Sequence, residues 1–257
     1  MKVVILAGGI GTRISEESVN KPKPLIEIGF KPIIWHIMKT YSHYGLNDFI
    51  ICCGYKGYLL KEYFANYYMH NSDVTINLSN NDLQINKANV EPWKINLIDT
   101  GENTMTGGRI LRIKNLLKND ENFCLTYGDG LSNVNIKKLL DFHKKNKKIA
   151  TITVVKPSGR YGKISLGSNN KVENFHEKPE GDGSWVNGGF FVFNKKIFDF
   201  LKKDSDILEQ GPIQKISKKK QLIAFRHSGF WKAMDTLNDK KYLEDLWLKN
   251  KCPWKIW

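Results

Sequence analysis

The chain has 257 residues, of which 41% are hydrophobic and 12% aromatic. This length and composition fit one large domain, or one domain with an appendage, and they exclude a wholly disordered or collagen-like chain. The 40 Lys and Arg residues against 26 Asp and Glu residues give a formal net charge of +14, which favours anionic partners such as nucleic acid, acidic membrane surfaces or phosphorylated small molecules.

The cysteines and the apolar runs indicate a soluble protein of a reducing compartment. The four cysteines form no C-x-x-C pair, which makes a metal cluster or a disulfide scaffold a weak interpretation. The first apolar run, Val3–Ala7, is too short for a signal peptide, and no stretch reaches the length that spans a bilayer. We therefore expect a cytoplasmic protein with no membrane partner.

Strand-like runs alternate with helix-like segments over the first 155 residues. This alternation predicts an α/β fold with a mostly parallel sheet and helices on both of its faces. The predicted strands are Val3–Ala7, Phe49–Cys53, Val74–Leu78, Ile95–Asp99, Phe123–Thr126 and Ile149–Val155, and the predicted helices are the segment from Pro32 to Gly45, Tyr58–Tyr68, Ile110–Lys118 and Ile136–Lys144.

The pattern is looser beyond residue 150. We expect strands at Val172–Phe175, Gly189–Phe193 and Leu222–Phe225, and a helix at Lys195–Lys202. The C-terminal part is rich in tryptophan, for which two interpretations stay open: packing of a helix on the core, or a subunit interface, where Trp is enriched. These tryptophans are Trp231, Trp247, Trp254 and Trp257.

Two basic runs follow helix-like segments. They are Lys-Lys-Asn-Lys-Lys at 144–148 and Lys-Lys-Lys at 218–220. Because cations near a helix C-terminus interact favourably with the helix dipole, we interpret both runs as solvated surface.

A glycine-rich loop follows the first predicted strand. Its three glycines allow the backbone N–H groups to approach the oxygens of a polyphosphate closely. The loop is not a Walker A motif, because Lys-Ser/Thr does not follow the last glycine, and Ile14 stands where G-x-G-x-x-G requires its third glycine. Alone, the loop is better explained as a simple tight turn. The segment comprises Leu6, Ala7, Gly8, Gly9, Ile10, Gly11, Thr12 and Arg13.

The next motif is Lys21-Pro22-Lys23-Pro24-Leu25. The prolines favour an extended, non-helical backbone and restrict each residue before them. Both lysines are therefore expected in fixed geometry. Alone the segment reads as an exposed basic linker, but after a glycine loop it predicts a second cationic clamp for phosphates.

Taken in order, these motifs resemble the signature of the sugar-1-phosphate nucleotidylyltransferases. The match continues with Tyr127-Gly128-Asp129-Gly130, Glu177-Lys178-Pro179 and Asn187-Gly188-Gly189-Phe190. Further stretches narrow the resemblance to the members that act on CTP and glucose 1-phosphate, and it spans nearly the whole chain. They are Lys31–Met38, Phe49–Gly57, Val90-Glu91-Pro92-Trp93, Gly229-Phe230-Trp231 and Met234-Asp235-Thr236.

The resemblance implies a fold and a reaction. The fold is a Rossmann-like three-layer α/β/α core over residues 1–215, with the nucleotide site mainly in 1–130, the sugar-phosphate site mainly in 150–215, and a C-terminal segment, 216–257, for metal binding and assembly. The reaction is transfer of the cytidylyl group of CTP to α-D-glucose 1-phosphate, giving CDP-glucose and pyrophosphate with Mg²⁺ as cofactor. The resemblance further implies a role in supplying CDP-glucose for deoxysugars of surface polysaccharides, and assembly as a homohexamer.

The resemblance also assigns roles to residues. Arg13, Lys23 and Asp129 would be catalytic, with Arg13 on the leaving pyrophosphate and Lys23 bridging the reacting phosphates. Asp129 and Asp235 would hold Mg²⁺. The rest of the substrate site would be the glycine loop, residues 6–13, with Thr104 and Arg109 on the nucleotide, Gly128 beside the metal, Lys178 on the sugar phosphate and Asn187 on sugar hydroxyls.

Other readings of single residues remain open without the family. Asp129 fits an ordinary Gly-Asp-Gly turn, and Asp235 fits an N-cap for a following helix. His36 lies in an apolar helix and is predicted to be a packed core histidine. Phe30 and Gly211 depart from the family pattern, which usually has glycine and an acidic residue there.

Three other functions compete with this one on the sequence. The nearest is the same chemistry with UTP, dTTP or another sugar 1-phosphate. The second is a basic nucleic-acid-binding protein, which the net charge motivates but which lacks zinc-finger, RNP or helix-turn-helix signals. The third, a nicotinamide dehydrogenase, fails on its glycine fingerprint.

Overall fold

A computed structural model describes residues 1–88, 90–157, 163–166, 171–176 and 184–257 of the chain. Its centre is a seven-stranded sheet with the strand order β14-β10-β13-β8-β1-β4-β7. The strands are β1 Val3–Ala7, β2 Glu27–Ile28, β3 Lys31–Pro32, β4 Asp48–Cys53, β5 Ser72–Asn77, β6 Asp82–Ala88, β7 Lys94–Asp99, β8 Asn122–Tyr127, β9 Gly130–Ser132, β10 Ala150–Val155, β11 Lys163–Leu166, β12 Val172–His176, β13 Val186–Asn194, β14 Leu222–Arg226 and β15 Trp231–Ala233.

The α-helices connect these strands. They are α1 Ser15–Ser18, α2 Ile33–His43, α3 Gly57–Ala65, α4 Tyr67–His70, α5 Thr106–Arg112, α6 Ile136–Asn146, α7 Pro212–Lys218 and α8 Leu237–Leu248. Short 3-10 helices lie at Thr12–Ile14, Lys23–Leu25, Lys114–Leu117 and Lys195–Phe200.

Six of the seven central strands run in the same direction. Only β13 is antiparallel, to both β8 and β10. Strand β1 pairs in parallel with β4 on one side and with β8 on the other. The direction of chain progression therefore reverses at β1, and the crevice beyond the carboxyl ends of β1 and β8 is where open α/β sheets bind ligands.

Both faces of the sheet are buried. Val3, Ile5 and Ala7 of β1 point into one hydrophobic layer with α2, while Val4 and Leu6 point into the other. A parallel strand with both faces covered carries a continuous apolar run, which is why the first strand was readable from sequence. The predicted α/β class with a mostly parallel sheet is confirmed.

The C-terminal tryptophans pack inside the chain. Trp254 is fully buried, and the rings of Trp247, Trp254 and Trp257 surround His36 at centroid distances of 5.1, 6.2 and 6.3 Å. His36 is also fully buried and its Nε2 is 2.8 Å from the Ile28 carbonyl oxygen. Burial lowers the pKa of His36 to about 4. The prediction of a core histidine is confirmed, and the tail rings lie on the core.

Several predicted bounds change. The helix expected at Ile110–Lys118 begins at Thr106 as α5 and ends in a 3-10 turn, and the helix expected at Lys195–Lys202 is a 3-10 helix ending at Phe200. Strand β6 and helix α7 were not predicted. Among the described residues, no helix combines the length and the apolar character needed to cross a bilayer.

Candidate active site

A cavity of about 570 Å³ lies beyond the carboxyl ends of β1 and β8. It collects residues from the glycine loop, the Lys23 turn, the start of α5, the loop after β8 and the strand before α8. Its lining is Leu6, Ala7, Gly8, Gly9, Gly11, Thr12, Arg13, Lys23, Pro24, Thr104, Met105, Thr106, Arg109, Tyr127, Gly128, Asp129, Trp231, Ala233 and Asp235.

Four charged side chains form one cluster in this cavity. The Lys23 Nζ donates to Asp129 Oδ2 at 2.6 Å and to Asp235 Oδ1 at 2.9 Å. The Arg13 Nη1 donates to the other oxygen of Asp235, Oδ2, at 3.0 Å. Two aspartates separated by more than a hundred residues therefore converge on a single cation.

The surroundings of Lys23 hold it in place. Lys23 is only 8% exposed. It begins a 3-10 turn in which the Leu25 N–H donates to the Pro22 carbonyl at 2.8 Å. The expectation of a non-helical backbone is wrong at Lys23, because Pro24 fits inside a single turn and Pro22 supplies its extended entry. Lys21 does not line the cavity; its Nζ is 3.9 Å from Glu27 Oε1.

Asp235 is placed by a backbone contact and not by capping. Its N–H donates to Asp239 Oδ2 at 3.1 Å. The N-cap of α8 is Thr236, which forms a capping box with Asp239. The N-cap interpretation of Asp235 is therefore wrong by one residue, and its carboxylate is left to face Lys23 and Arg13.

Arg109 fastens the glycine loop to the sheet. Its guanidinium donates to the carbonyl oxygens of Gly8, Cys53, Gly101 and Glu102 at 2.8 to 3.1 Å, and to Thr100 Oγ1 at 2.7 Å. It is 5% exposed, and burial lowers its pKa from the ordinary value.

The glycines beside Arg109 leave room for it. A Cβ on Gly8 would lie 2.2 Å from the Arg109 Cζ, and one on Gly54 would lie 2.5 Å from its Nη1. Glycine is needed there because the loop backbone and the guanidinium occupy adjacent space. The nucleotide contact expected of Arg109 stays a prediction, and its observed contacts are to the chain itself.

The structure brings together most of the residues that the sequence nominated. Three differ: Ile10 points to solvent with 51% exposure, Asn187 is exposed and borders the cavity through Tyr127, and Lys178 lies outside the described residues. The remaining nominated side chains and loop glycines all line the cavity.

Sequence reasoning missed a second polar network, which Glu209 forms with two residues that line the cavity. The half-buried Glu209 accepts from Thr106 Oγ1 at 2.8 Å and from the Tyr127 hydroxyl. The Tyr127 oxygen in turn accepts from Asn187 Nδ2 at 3.2 Å. Burial and the Glu209 carboxylate raise the pKa of Tyr127. Tyr127 stood in a quoted motif, directly before Gly128, but nothing in the spacing of Glu209 marked it.

Comparison with known proteins identifies the family. A family model described as Nucleotidyl transferase matches residues 2–243. The chain belongs to the nucleotidyl transferase family. The predicted resemblance is thereby confirmed at the level of the family, and the cavity lies where this Rossmann-like fold binds its ligands.

Individual relatives of this nucleotidyl transferase cover its whole length. It is 53% identical over 257 residues to the glucose-1-phosphate cytidylyltransferase of Salmonella typhimurium, and the match covers 100% of both chains. It is 42% identical over 258 residues to the probable glucose-1-phosphate cytidylyltransferase of Bacillus subtilis, again over 100% of both. The solved structure of UDP-glucose pyrophosphorylase complexed with UDP-glucose shares the fold, with a TM-score of 0.69 at 17% identity over 97% of this chain and 98% of that chain.

Proposed function

We propose that this nucleotidyl transferase moves the cytidylyl group of CTP onto α-D-glucose 1-phosphate and releases CDP-glucose and pyrophosphate. Full-length identity of 53% to an enzyme of that name supports the choice of substrates. The single structural observation that carries the proposal is the cluster of Arg13, Lys23, Asp129 and Asp235 at the carboxyl edge of the sheet.

The proposed reaction is an in-line displacement. An oxygen of the sugar phosphate bonds to the α-phosphorus of CTP while the bond from that phosphorus to the bridging oxygen of the β-phosphate breaks. Pyrophosphate leaves with that oxygen and its electron pair. No side-chain nucleophile takes part, so the chain contributes by positioning two anions and stabilising the charge that develops between them.

The cations of the cavity are placed for that task. Lys23 is a buried point charge that meets the phosphates at the reacting centre, whereas the side chain of Arg13 is 68% exposed and reaches the mouth, where pyrophosphate departs. The loop of residues 8–11 offers backbone N–H groups to phosphate oxygens, and Arg109 keeps that loop in position.

The donor set fits a divalent cation. The two positive and two negative side chains of the cluster cancel, so a further cation is needed to neutralise the incoming phosphates. The carboxylates of Asp129 and Asp235 already converge on one cation, the Lys23 ammonium, and would hold Mg²⁺, which accepts one or two carboxylates and takes phosphate oxygens and waters otherwise. Bound there, Mg²⁺ would supply charge stabilisation for the transferred phosphoryl group.

The wall of the cavity formed by Tyr127 and Thr106 fits the sugar. Both residues line the cavity and donate their hydroxyl groups to Glu209, and Asn187 Nδ2 donates to the Tyr127 oxygen. We propose that sugar hydroxyls meet this wall, with Asn187 as a direct partner. Lys178 on the sugar phosphate remains part of the proposal from family resemblance alone.

Identification of the product tests the proposal. The chain is incubated with Mg²⁺ and glucose 1-phosphate, with CTP, UTP, dTTP, ATP or GTP in separate reactions, and each product is identified by mass spectrometry. We expect CDP-glucose from CTP and little product elsewhere. A UDP- or dTDP-sugar as the main product would overturn the choice of base, and product only with mannose or galactose 1-phosphate would overturn the choice of sugar.

We further propose a homo-oligomer, a hexamer by family resemblance, that acts in the cytoplasm. The hairpin β5–β6 carries cross-strand apolar pairs, Val74 with Ile85 and Ile76 with Leu83, and all four side chains are 36% to 53% exposed. A two-stranded hairpin with an uncovered apolar face is marginal in water, and exposed apolar patches mark contact surfaces. These pairs support burial of the hairpin against another copy of the chain.

Light scattering after size exclusion tests the assembly. Ile76→Glu places a charge on the apolar face of the hairpin, and we expect it to lower the measured mass. Thr75→Glu changes the opposite face of the same strand and serves as the control, with no expected change. A wild-type mass of one chain would contradict the proposed oligomer.

A further inference from the structure

A second cavity, of about 530 Å³, lies at the edge of the sheet opposite the candidate active site. It opens where β8 and β10 begin, whereas the active-site cavity lies where β1 and β8 end. Its lining comes from four separate parts of the sequence: 121–122, 143–149, 194–196 and Gln221.

The sheet topology brings these segments together. Strand β10 pairs in parallel with β14, which sets Ala150 beside Leu222 and joins the two basic runs that precede these strands. The Lys148 Nζ donates to the Lys220 carbonyl oxygen at 3.0 Å. The end of β13 closes the third side, because the Asn194 N–H donates to the Ile149 carbonyl at 2.8 Å.

Three lysines of this cavity form no ion pair within the part of the chain that the structure describes. Among the residues that the structure describes, Lys144, Lys147 and Lys196 line the cavity without an ion pair. The single carboxylate in the lining, Glu121, accepts from Asn194 Nδ2 at 2.8 Å and lies 3.3 Å from Lys195 Nζ. Like charges gathered around one concave space raise the local concentration of anions.

The dipole of α6 does not account for the whole arrangement. It explains Lys144 on the last turn of that helix, but Lys196 lies in the first turn of the 3-10 helix Lys195–Phe200. Lys147 caps α6 with a φ of 50°, in the left-handed region where glycine costs less than any residue with a Cβ. Lysine therefore occupies this position against the preference of the backbone.

The floor of the cavity is polar and is held by hydrogen bonds. His143 is 3% exposed, with its Nδ1 2.8 Å from Thr151 Oγ1 and its Nε2 3.1 Å from Asn122 Oδ1. The described lining contains no Phe, Tyr or Trp on which a nucleobase would stack. A ligand would therefore be recognised by its anionic groups.

We propose that this cavity binds a small polyanion with two or more linked phosphate groups, of which pyrophosphate is the simplest. Lysine ammonium groups bind phosphate as point charges, and ammonium groups on two different elements are spanned by linked phosphates better than by one. The concave shape favours a small molecule over a nucleic-acid strand, which needs an extended basic surface. This site is separate from the proposed reaction and does not depend on it.

Calorimetric titration with inorganic pyrophosphate tests the proposal. The wild type is compared with the triple variant Lys144→Gln, Lys147→Gln, Lys196→Gln and with a control triple, Lys61→Gln, Lys249→Gln, Lys251→Gln, which removes the same charge from exposed lysines elsewhere. We expect the wild type and the control to bind one more pyrophosphate per chain than the cavity variant. We also expect inorganic phosphate to bind this site at least about tenfold more weakly than pyrophosphate.

Further measurements on the same three proteins control for folding and for the identity of the ligand. Thermal melting and pyrophosphate release by the cavity variant should match those of the control, which shows that the fold and the active site are intact. Equal stoichiometry in all three proteins would overturn the proposal. So would loss of binding to a single-stranded oligonucleotide without loss of a pyrophosphate site, because the lysines would then form a nucleic-acid surface. CTP, titrated in the same way, distinguishes the two sources of a linked phosphate group: binding of both ligands supports recognition of the phosphates alone, whereas binding of CTP without pyrophosphate would overturn the proposal.

Discussion

Cationic side chains cluster both where the strands of the central sheet end and where they begin, but their hydrogen-bond and ion-pair partners differ. At the carboxyl edge, Lys23 and Arg13 are each held by an aspartate, and Arg109 is held by four carbonyls and a hydroxyl. At the other edge, Lys144 and Lys196 form no ion pair with a carboxylate among the described residues. Paired cations have fixed positions, which transition-state stabilisation requires, whereas unpaired ones supply attraction without fixed geometry.

The contrast shows why net charge alone says little about function. The excess of 14 positive charges suggested an anionic partner but did not say where. The residues that the geometry singles out are those where acidic and basic side chains converge from distant segments. Each edge can be tested by a change whose counterpart at the other edge should have no effect on turnover.

The largest expected effect is that of Asp129→Ala. This change removes one carboxylate of the proposed metal site and one partner of Lys23, so we expect kcat/KM to fall by about 10³-fold with the fold retained. The measurement is pyrophosphate release together with thermal melting.

The matched control for Asp129 lies at the other edge. Asp120 also pairs with a lysine, with 2.7 Å between its Oδ2 and the Lys2 Nζ. Asp120→Ala should leave turnover unchanged. Near-normal activity of Asp129→Ala, or an equal loss in both variants, would remove the assigned difference between the edges.

Lys23→Ala should have the next largest effect. The change removes the buried cation at the proposed reacting centre, and we expect a loss of about 10²-fold, mainly in kcat. Lys2→Ala is the control. A change confined to KM would instead assign Lys23 to uniform substrate binding.

The burial of His36 predicts that the free energy of unfolding depends on pH. His36 is buried without a carboxylate, and its pKa falls from 6.5 to about 4. The unfolded chain therefore takes up a proton near pH 6.5 and the native chain only near pH 4. Stability from this residue is complete above pH 6.5 and declines as the pH falls toward 4, by roughly 3 kcal/mol.

Urea unfolding between pH 4 and pH 7 measures this decline. His36→Gln keeps a polar group at the position without the titration, and we expect a flatter profile. His70→Gln, at an exposed position, serves as the control. A profile of His36→Gln parallel to that of the wild type would contradict the assignment.

The smallest effect concerns the backbone. Phe30 is 85% exposed with a φ of 64°, which explains why the family pattern has glycine there, and Phe30→Gly should stabilise the chain by about 0.5 kcal/mol.

Lys147→Gly should likewise stabilise the chain, and it should also weaken pyrophosphate binding. Gly29→Ala, whose Cβ would lie 2.0 Å from Trp247 Nε1, should destabilise the chain. Melting temperatures check all three, and a lower value for Phe30→Gly would contradict the strain.

The sequence predicted the central sheet well because its inner strands are rich in buried β-branched and apolar residues. Val3–Ala7 is a continuous apolar run, and Ala150–Val155 is mostly β-branched, so each is recognisable as a strand without knowledge of its neighbours. The hairpin strand β6 was missed because its apolar residues, Leu83 and Ile85, alternate with polar ones and form no such run. The 3-10 turn at Lys23 was missed because the restriction before each proline pointed to an extended chain.

The charged site was predictable only as separate motifs. Family motifs nominated Asp129 and Asp235, yet only the fold sets both on one ammonium group. Glu209 had no signal, because its role depends on Tyr127 and Thr106, which come close only after β8 and α5 pack together. The tail tryptophans allowed two interpretations, because a large aromatic ring is found both in protein cores and in subunit interfaces.

The most direct test is pyrophosphate release by the wild-type chain with glucose 1-phosphate and CTP, followed with Mg²⁺ and again after chelation of the metal. We expect steady release that requires the metal and that exceeds release with any other nucleotide by at least about tenfold, the size of one 1.4 kcal/mol preference. Release that is independent of both the metal and the base would contradict this expectation.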